Sequence, residues 1–241
     1  MVELGFAPPP PAPLPGLPLR KAAKFDAADH IKSIELLTHL ESEHKTIRCH
    51  KTAYRFVRRN NDREMLIYLD GSCLGQNTKE NVKTGQAGCG WVFKPVSASA
   101  SVREEAIRLE LEGPSGQQYL PTSNRAEIRA AMGALQYREW NGEGWRRVVI
   151  ASDSEYMVLG ITTRIEQWVA NDWRLTDGEP VKNRDLWQAL LDEVNLLASK
   201  GTEVLFWKIG REDNKEADKV AKHGARKPLV AKYTIKLGTL V

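Results

Sequence analysis

Three consecutive stretches of this chain read as strands, and amphipathic helices alternate with buried-type strands in the stretches that follow. Met65–Cys73 (MLIYLDGSC) is an apolar, β-prone run that stops on an aspartate followed at once by small residues, and it reads as a strand. Ala87–Lys94 (AGCGWVFK) predicts a second strand, with glycines where another backbone must come close. Ala106–Gly113 (AIRLELEG) alternates as a third, so three strands joined by local loops predict an antiparallel meander. From Thr122 a long helix is expected through Trp140, with Ile128, Ala131, Ala134 and Leu135 on its inner face. Arg147–Ala151 is a strand of buried type, and a helix starts at Glu155. Gly160–Trp187 carries three tryptophans and two helical segments divided by the turn at 176–180. Asn183–Leu197 predicts an amphipathic helix, Thr202–Trp207 a last strand and Asn214–Ala221 a last helix. Ahead of this domain, Ile31, Ile34, Leu37 and Leu40 recur at helical spacing behind a cap at Asp29.

The first residues change the picture. Phe6–Leu19 (FAPPPPAPLPGLPL) is too proline-rich for helix or sheet, because each proline fixes φ and removes a donor. The expected organisation is a disordered Pro-rich tail over 1–24, with a docking ligand for a protein partner as its other use, and an extension over 25–63. The main domain follows over 64–226, and a C-terminal tail over 227–241. Within the extension, Lys51–Arg63 interleaves Tyr54 and Phe56 with Arg55, Arg58 and Arg59; it reads as a basic strand leading into the core, or as a surface that tracks phosphates. His39, His44, Cys49 and His50 match no zinc spacing.

With 41% hydrophobic and 27% charged residues the composition is that of a soluble globular protein, and no apolar run approaches the roughly 18 residues of a membrane span. Three cysteines without a CxxC favour a reducing compartment, so an intracellular location, nucleus or cytoplasm, is expected. Glu3 and the proline run argue against a mitochondrial presequence. The net charge of +4 is compatible with a nucleic-acid partner without requiring one.

Four carboxylates sit at the edges of predicted elements, and each has an ordinary reading beside a functional one. Asp70 ends a strand at the rim of a core, yet Asp70-Gly71 is also a strong hairpin signal. Glu127 stands near a helix start, where Asn124 and Glu127 resemble a capping box. Asp153 follows a strand's C-terminal end, where open α/β sheets bind ligands, or caps the next helix. Asp218 in a first helical turn can simply complement the helix dipole.

Taken together, the order of these elements resembles type 1 ribonuclease H. The matching stretches are LDGSCLG at 69–75, TSNRAE at 122–127, SDSEYMVLGIT at 152–162, WRLTDGEPVKNRDLW at 173–187 and NKEAD at 214–218. The resemblance implies an α/β fold with a five-stranded mixed sheet, three antiparallel strands and then parallel ones, flanked by helices. It implies a monomeric enzyme that hydrolyses the RNA strand of an RNA–DNA hybrid to 5′-phosphate and 3′-hydroxyl ends. Asp70, Glu127, Asp153 and Asp218 would hold two Mg²⁺ ions, with Mn²⁺ an alternative, roughly 3.5–4 Å apart. Such ions also relieve the repulsion among convergent carboxylates. By the same likeness, Cys73, Ser123, Asn124 and Glu155 would contact the minor groove or backbone. Trp168 and Trp173 would stack or pack in a protruding handle, and Arg174, Lys182 and Arg184 would meet phosphates there.

The chain also departs from the family. Glu155 stands where a glutamine is common, and 208–213 is a short segment without the loop histidine of bacterial members; Arg211 is the cation in its place. Glu166, Asp172, Asp177 and Glu179 dilute the handle's charge, which predicts weak hybrid affinity unless the 51–63 run compensates. These departures keep a second expectation open, a weakened or inactive copy that only binds hybrid or double-stranded RNA.

Overall fold

The structure, a computed structural model, describes residues 22–25, 41–45, 52–58, 61–75, 85–94 and 104–238. The strands are β1 (Ala23–Lys24), β2 (Glu41–Lys45), β3 (Thr52–Arg58), β4 (Asn61–Leu74), β5 (Gln86–Val92), β6 (Glu104–Arg108), β7 (Arg147–Ser152) and β8 (Glu203–Lys208). Helices α1 (Ser123–Gln136), α2 (Glu155–Leu159), α3 (Ile165–Ala170), α4 (Arg184–Ser199) and α5 (Lys215–Arg226) accompany them, and a π-helical turn over Gly160–Arg164 joins α2 to α3.

The five strands expected from the resemblance are present in the order β6-β5-β4-β7-β8, antiparallel from β4 through β6 and parallel from β4 through β8. The extension enlarges this to an eight-stranded sheet. β1 runs parallel to β8 on the outer edge, and β2 pairs with β3 in antiparallel register. β3 lies along the first half of β4, with Phe56 opposite Leu66, while β5 takes the second half, with Asp70 opposite Gly90. A strand covered on both faces needs an unbroken apolar run, and Met65, Leu66, Ile67 and Leu69 are all buried. Met65, Ile67 and Leu69 face the larger core with Val148, Ile150 and helices α1 and α4, whereas Leu66 faces Val149, Leu205 and Trp207.

β4 does not stop at Asp70. It continues to Leu74, and Gly71 pairs with Cys89, so the hairpin reading of Asp70-Gly71 falls. Gly71 is required by packing instead: a Cβ there would lie 2.2 Å from the Glu127 backbone nitrogen, so the missing side chain lets α1 cross β4 in contact. Gly88 does the same for α5, where a Cβ would lie 1.9 Å from the Ala225 nitrogen. These contacts set where the two helices stand.

α1 ends at Gln136, short of Trp140, because the Trp140 indole turns back to donate to the Ala134 carbonyl at 2.9 Å. The third strand ends at Arg108, shorter than its apolar alternation. In the basic run, Arg55 is wholly buried and pairs with Glu143 at 2.7 Å, and Arg58 reaches Glu64 at 3.0 Å. These two arginines hold the extension to the core through carboxylate partners. The chain after 226 is docked as far as 238: the Glu112 amide donates to the Ala231 carbonyl, the Gly238 amide to Tyr137, and the buried Arg129 bridges Glu110 and the Thr234 carbonyl. The expected helix Asp29–Leu40 and the proline run both fall wholly outside the described residues, while Ala23 and Lys24, placed in the tail by sequence, form β1.

Candidate active site

Asp70 sits on β4 just past the last β4–β7 pair, Tyr68 with Ala151, where the two strands diverge. Asp153 follows the end of β7 by one residue. α1, held close by Gly71, supplies Glu127, and α5, seated on β5, supplies Asp218. All four line one cavity of about 430 Å³, together with Cys73, Ser123, Arg211, Asn214, Lys215 and Lys222.

The ordinary readings of Asp70, Glu127 and Asp153 do not account for them. Thr122, not Asn124, caps α1, its hydroxyl accepting from the Arg125 amide at 3.2 Å, and Glu127 accepts instead from the Ser154 hydroxyl on the far side of the cavity. Ser154, not Asp153, caps α2 by accepting from the Met157 amide. Asp218 does stand in the first turn of α5, pairs with Lys222 at 2.6 Å and lines the cavity as well.

Electrostatically the cavity is crowded. Burial, and then the charges of Asp153, Glu127 and Asp218, push the Asp70 carboxyl up to about 7 against a hydrogen bond from the Gly71 backbone. Burial and Asp153 raise Glu127 to about 7, opposed by the Ser154 hydroxyl and Arg211. Arg211, with its side chain 91% exposed, stands 3.4 Å from Asp153. As the side chains stand, among the described residues no three acidic, His or Cys groups close on one point at ligand distance. The donor set nonetheless fits a hard divalent cation: it is all carboxylate oxygen, it shares one cavity, and its crowding is relieved by positive charge.

A pH dependence follows with a definite sign. Asp70 and Glu127 rise from ordinary values of 3.8 and 4.5 to about 7, so between these limits the folded chain holds protons that the unfolded chain has released. Stability in chelator should therefore be highest near the lower limit and fall as pH rises toward 7. Melting curves in chelator across this window should show the decline, and Glu127→Gln should shrink it; a midpoint that climbs with pH would contradict the assignment.

Asn214 was missed by sequence reasoning. Buried between elements, its amide donates to the Asp153 carboxylate at 2.7 Å and to the Leu69 carbonyl at 3.0 Å, while its own carbonyl oxygen finds no donor among the described residues. One side chain thus ties β4, the end of β7 and the start of α5. Its sequence signals were a polar residue heading an amphipathic helix and a place in the matching stretch NKEAD, neither of which assigned it a role.

The proposed substrate contacts divide. Cys73 and Ser123 line the cavity. Asn124 and Glu155 are exposed at the first turns of α1 and α2, outside its lining. Trp168 and Trp173 are not available for stacking: they are 7% and 6% exposed, and Trp168 packs on Trp187 at 5.4 Å. The apolar body of each ring is core, which corrects the stacking expectation. Arg174, Lys182 and Arg184 are exposed but outside the cavity, Arg174 donating to the Gly178 carbonyl and Arg184 lying over Trp173.

The chain matches the family model described as RNase H over residues 62–226. It is 35% identical over 164 residues to the ribonuclease H of Rickettsia akari, spanning 67% of this chain and 90% of that protein. With the ribonuclease H of Treponema pallidum it shares 37% identity over 129 residues, 52% of this chain and 70% of the relative. With that of Actinobacillus succinogenes it shares 32% over 171 residues, 69% of this chain and 92% of the relative. The match spans the strands and helices that carry all four carboxylates, and the chain belongs to the type 1 RNase H family as a ribonuclease H hydrolase.

Proposed function

We propose that the chain cleaves the RNA strand of RNA–DNA hybrids at the four-carboxylate cavity, leaving 5′-phosphate and 3′-hydroxyl ends. The observation that carries this reading is the meeting of Asp70, Glu127, Asp153 and Asp218, from four separate elements, on one cavity where two of them are pushed up to about 7. These four would hold two Mg²⁺ ions, with Mn²⁺ an alternative. Such ions, when bound, would supply an activated water and charge stabilisation at the leaving 3′ oxygen.

The chain's own residues do the positioning. Ser154 orients the Glu127 carboxylate, and Asn214 fixes one oxygen of Asp153 so that the other faces Arg211. Arg211 places a guanidinium beside the cavity, where it attracts the scissile phosphate and stands in the place of a loop histidine as a cation. Cys73 and Ser123, on the wall of the cavity, are the polar groups best placed to meet the minor groove, where the 2′-hydroxyl distinguishes RNA from DNA. Arg174, Lys182 and Arg184 serve as outlying phosphate contacts.

Asn214→Ala should lower divalent-ion affinity by about 10–100-fold, the usual effect of removing a group that holds a ligand in place. Titration calorimetry with Mg²⁺ and Mn²⁺ reads this without catalysis, and an unchanged affinity would remove Asn214 from the account. For the function itself, the RNA fragments on the 3′ side of each cut should accept label from a kinase only after phosphatase treatment. Fragments from the 3′ side that accept label directly at the 5′ end would contradict the proposed chemistry.

A further inference from the structure

We propose that the outer face of α5 is a phosphate track for the RNA strand on one side of the cut; this rests on the hybrid-cleaving reading above. Lys215, Lys219, Lys222 and Arg226 recur at intervals of four, three and four residues, which puts them in one stripe along a helix. The opposite face, with Ala217, Val220, Ala221, Gly224 and Ala225, is buried, and close contacts at Gly88 and Gly90 leave the helix no freedom to roll. The stripe is therefore held outward.

Two observations select the occupant. The stripe is continuous with the carboxylate cavity, because Lys215 and Lys222 line it; a strand whose phosphate enters the cavity meets these cations next. Its length, about 16 Å for the twelve residues from Lys215 to Arg226, spans about four to five nucleotides at roughly 3.4 Å of advance each along the duplex axis. The stripe's acidic neighbours do not cancel it. Glu216 pairs with Lys219 and Asp218 with Lys222 in pairs open to solvent, where salt bridges are weak and exchange readily.

The track also answers a difficulty raised by the sequence. The handle carries Glu166, Asp172, Asp177 and Glu179 beside its cations, all exposed, and Arg55 and Arg58 in the extension are turned onto Glu143 and Glu64. The stripe on α5 adds cations to those of the handle, and these lie against the cavity itself.

The test measures binding of a fluorescent RNA–DNA hybrid to the full chain carrying Asp70→Asn, from about 50 to 200 mM salt, with and without Lys219→Gln and Arg226→Gln. Neither of these two residues lines the cavity. The double variant should bind several-fold more weakly, and its plot of log affinity against log salt should flatten by about two, close to one per lost contact. In the otherwise native chain the same pair should raise KM and leave kcat at saturating hybrid unchanged. Lys232→Gln with Lys236→Gln, the same charge removed from the C-terminal segment, should leave the slope as it was. Uncharged methylphosphonates beside the cut should reproduce the loss when placed in the RNA strand and not in the DNA strand. An unchanged slope in the Lys219/Arg226 variant, equal flattening in the control, or a loss that follows the DNA strand would overturn the proposal. A parent chain that neither binds nor cuts hybrid would instead overturn the functional reading beneath it.

Discussion

Asp70→Asn is expected to reduce hybrid cleavage by at least about 10²–10³-fold, the range seen when one group stabilising transition-state charge is removed, and at the same time to raise the melting midpoint in chelator. Asparagine keeps the size of the side chain and removes its charge. Asp70 is the group most heavily set upon by its neighbours, with burial and three carboxylates all opposing its ionisation. Near pH 7 and above, its removal relieves the folded state while taking a ligand from the ions. A site that stores repulsion for a cation should show this opposition of stability and activity. Cleavage rates under single-turnover conditions and melting curves of both chains read the two halves. A variant that stayed active, or that lost both activity and stability, would show that Asp70 serves the fold and not the ions.

Gly71→Ala should be the single added methyl group that most directly disturbs the carboxylate site. The added Cβ meets backbone of α1, 2.2 Å from the Glu127 nitrogen and 2.4 Å from the Ala126 carbonyl carbon, and backbone has no rotamer into which to retreat. Overpacking of this kind costs about 1–3 kcal/mol. Relief requires α1 to lift from β4, which separates Glu127 from Asp70, so activity should fall beyond what the fraction folded explains. Gly178→Ala is the control for stability, since its Cβ would meet nothing within 4 Å, although its φ of +86° carries a strain of its own. Denaturant unfolding of both, with cleavage measured where each is fully folded, checks the claim. Equal, small effects would show that α1 and β4 are not in the contact described.

The carboxylates were legible because each interrupts a strong local pattern. A buried-type strand at 147–151 followed by Ser152-Asp153-Ser154 has few local explanations, and α5 announces itself by its amphipathic period. Asp70-Gly71 was legible as a site and misread as an end: the glycine answers to α1, a neighbour 56 residues away in sequence, and no local rule sees such a contact. Trp168 and Trp173 had the composition of a stacking surface, and only tertiary packing assigns them to the core. Arg55 read as a basic residue until the turn bearing Glu143 was brought to it. The added strands were hidden for a related reason. β1 is two residues long and pairs with a strand some 180 residues later, and β2 (ESEHK) has no apolar alternation. Asn214 was invisible because its importance is geometric: it becomes a tie only when β4, β7 and α5 converge.

The most direct test of the central claim is gel cleavage of a labelled RNA–DNA hybrid by the full chain, beside single-stranded RNA, double-stranded RNA and DNA duplex, over a series of Mg²⁺ and Mn²⁺ concentrations. The account predicts cleavage of RNA in the hybrid alone, rising with divalent ion and abolished by chelator. Cleavage that persists in chelator, or hybrid bound and left intact at every ion concentration, would contradict it.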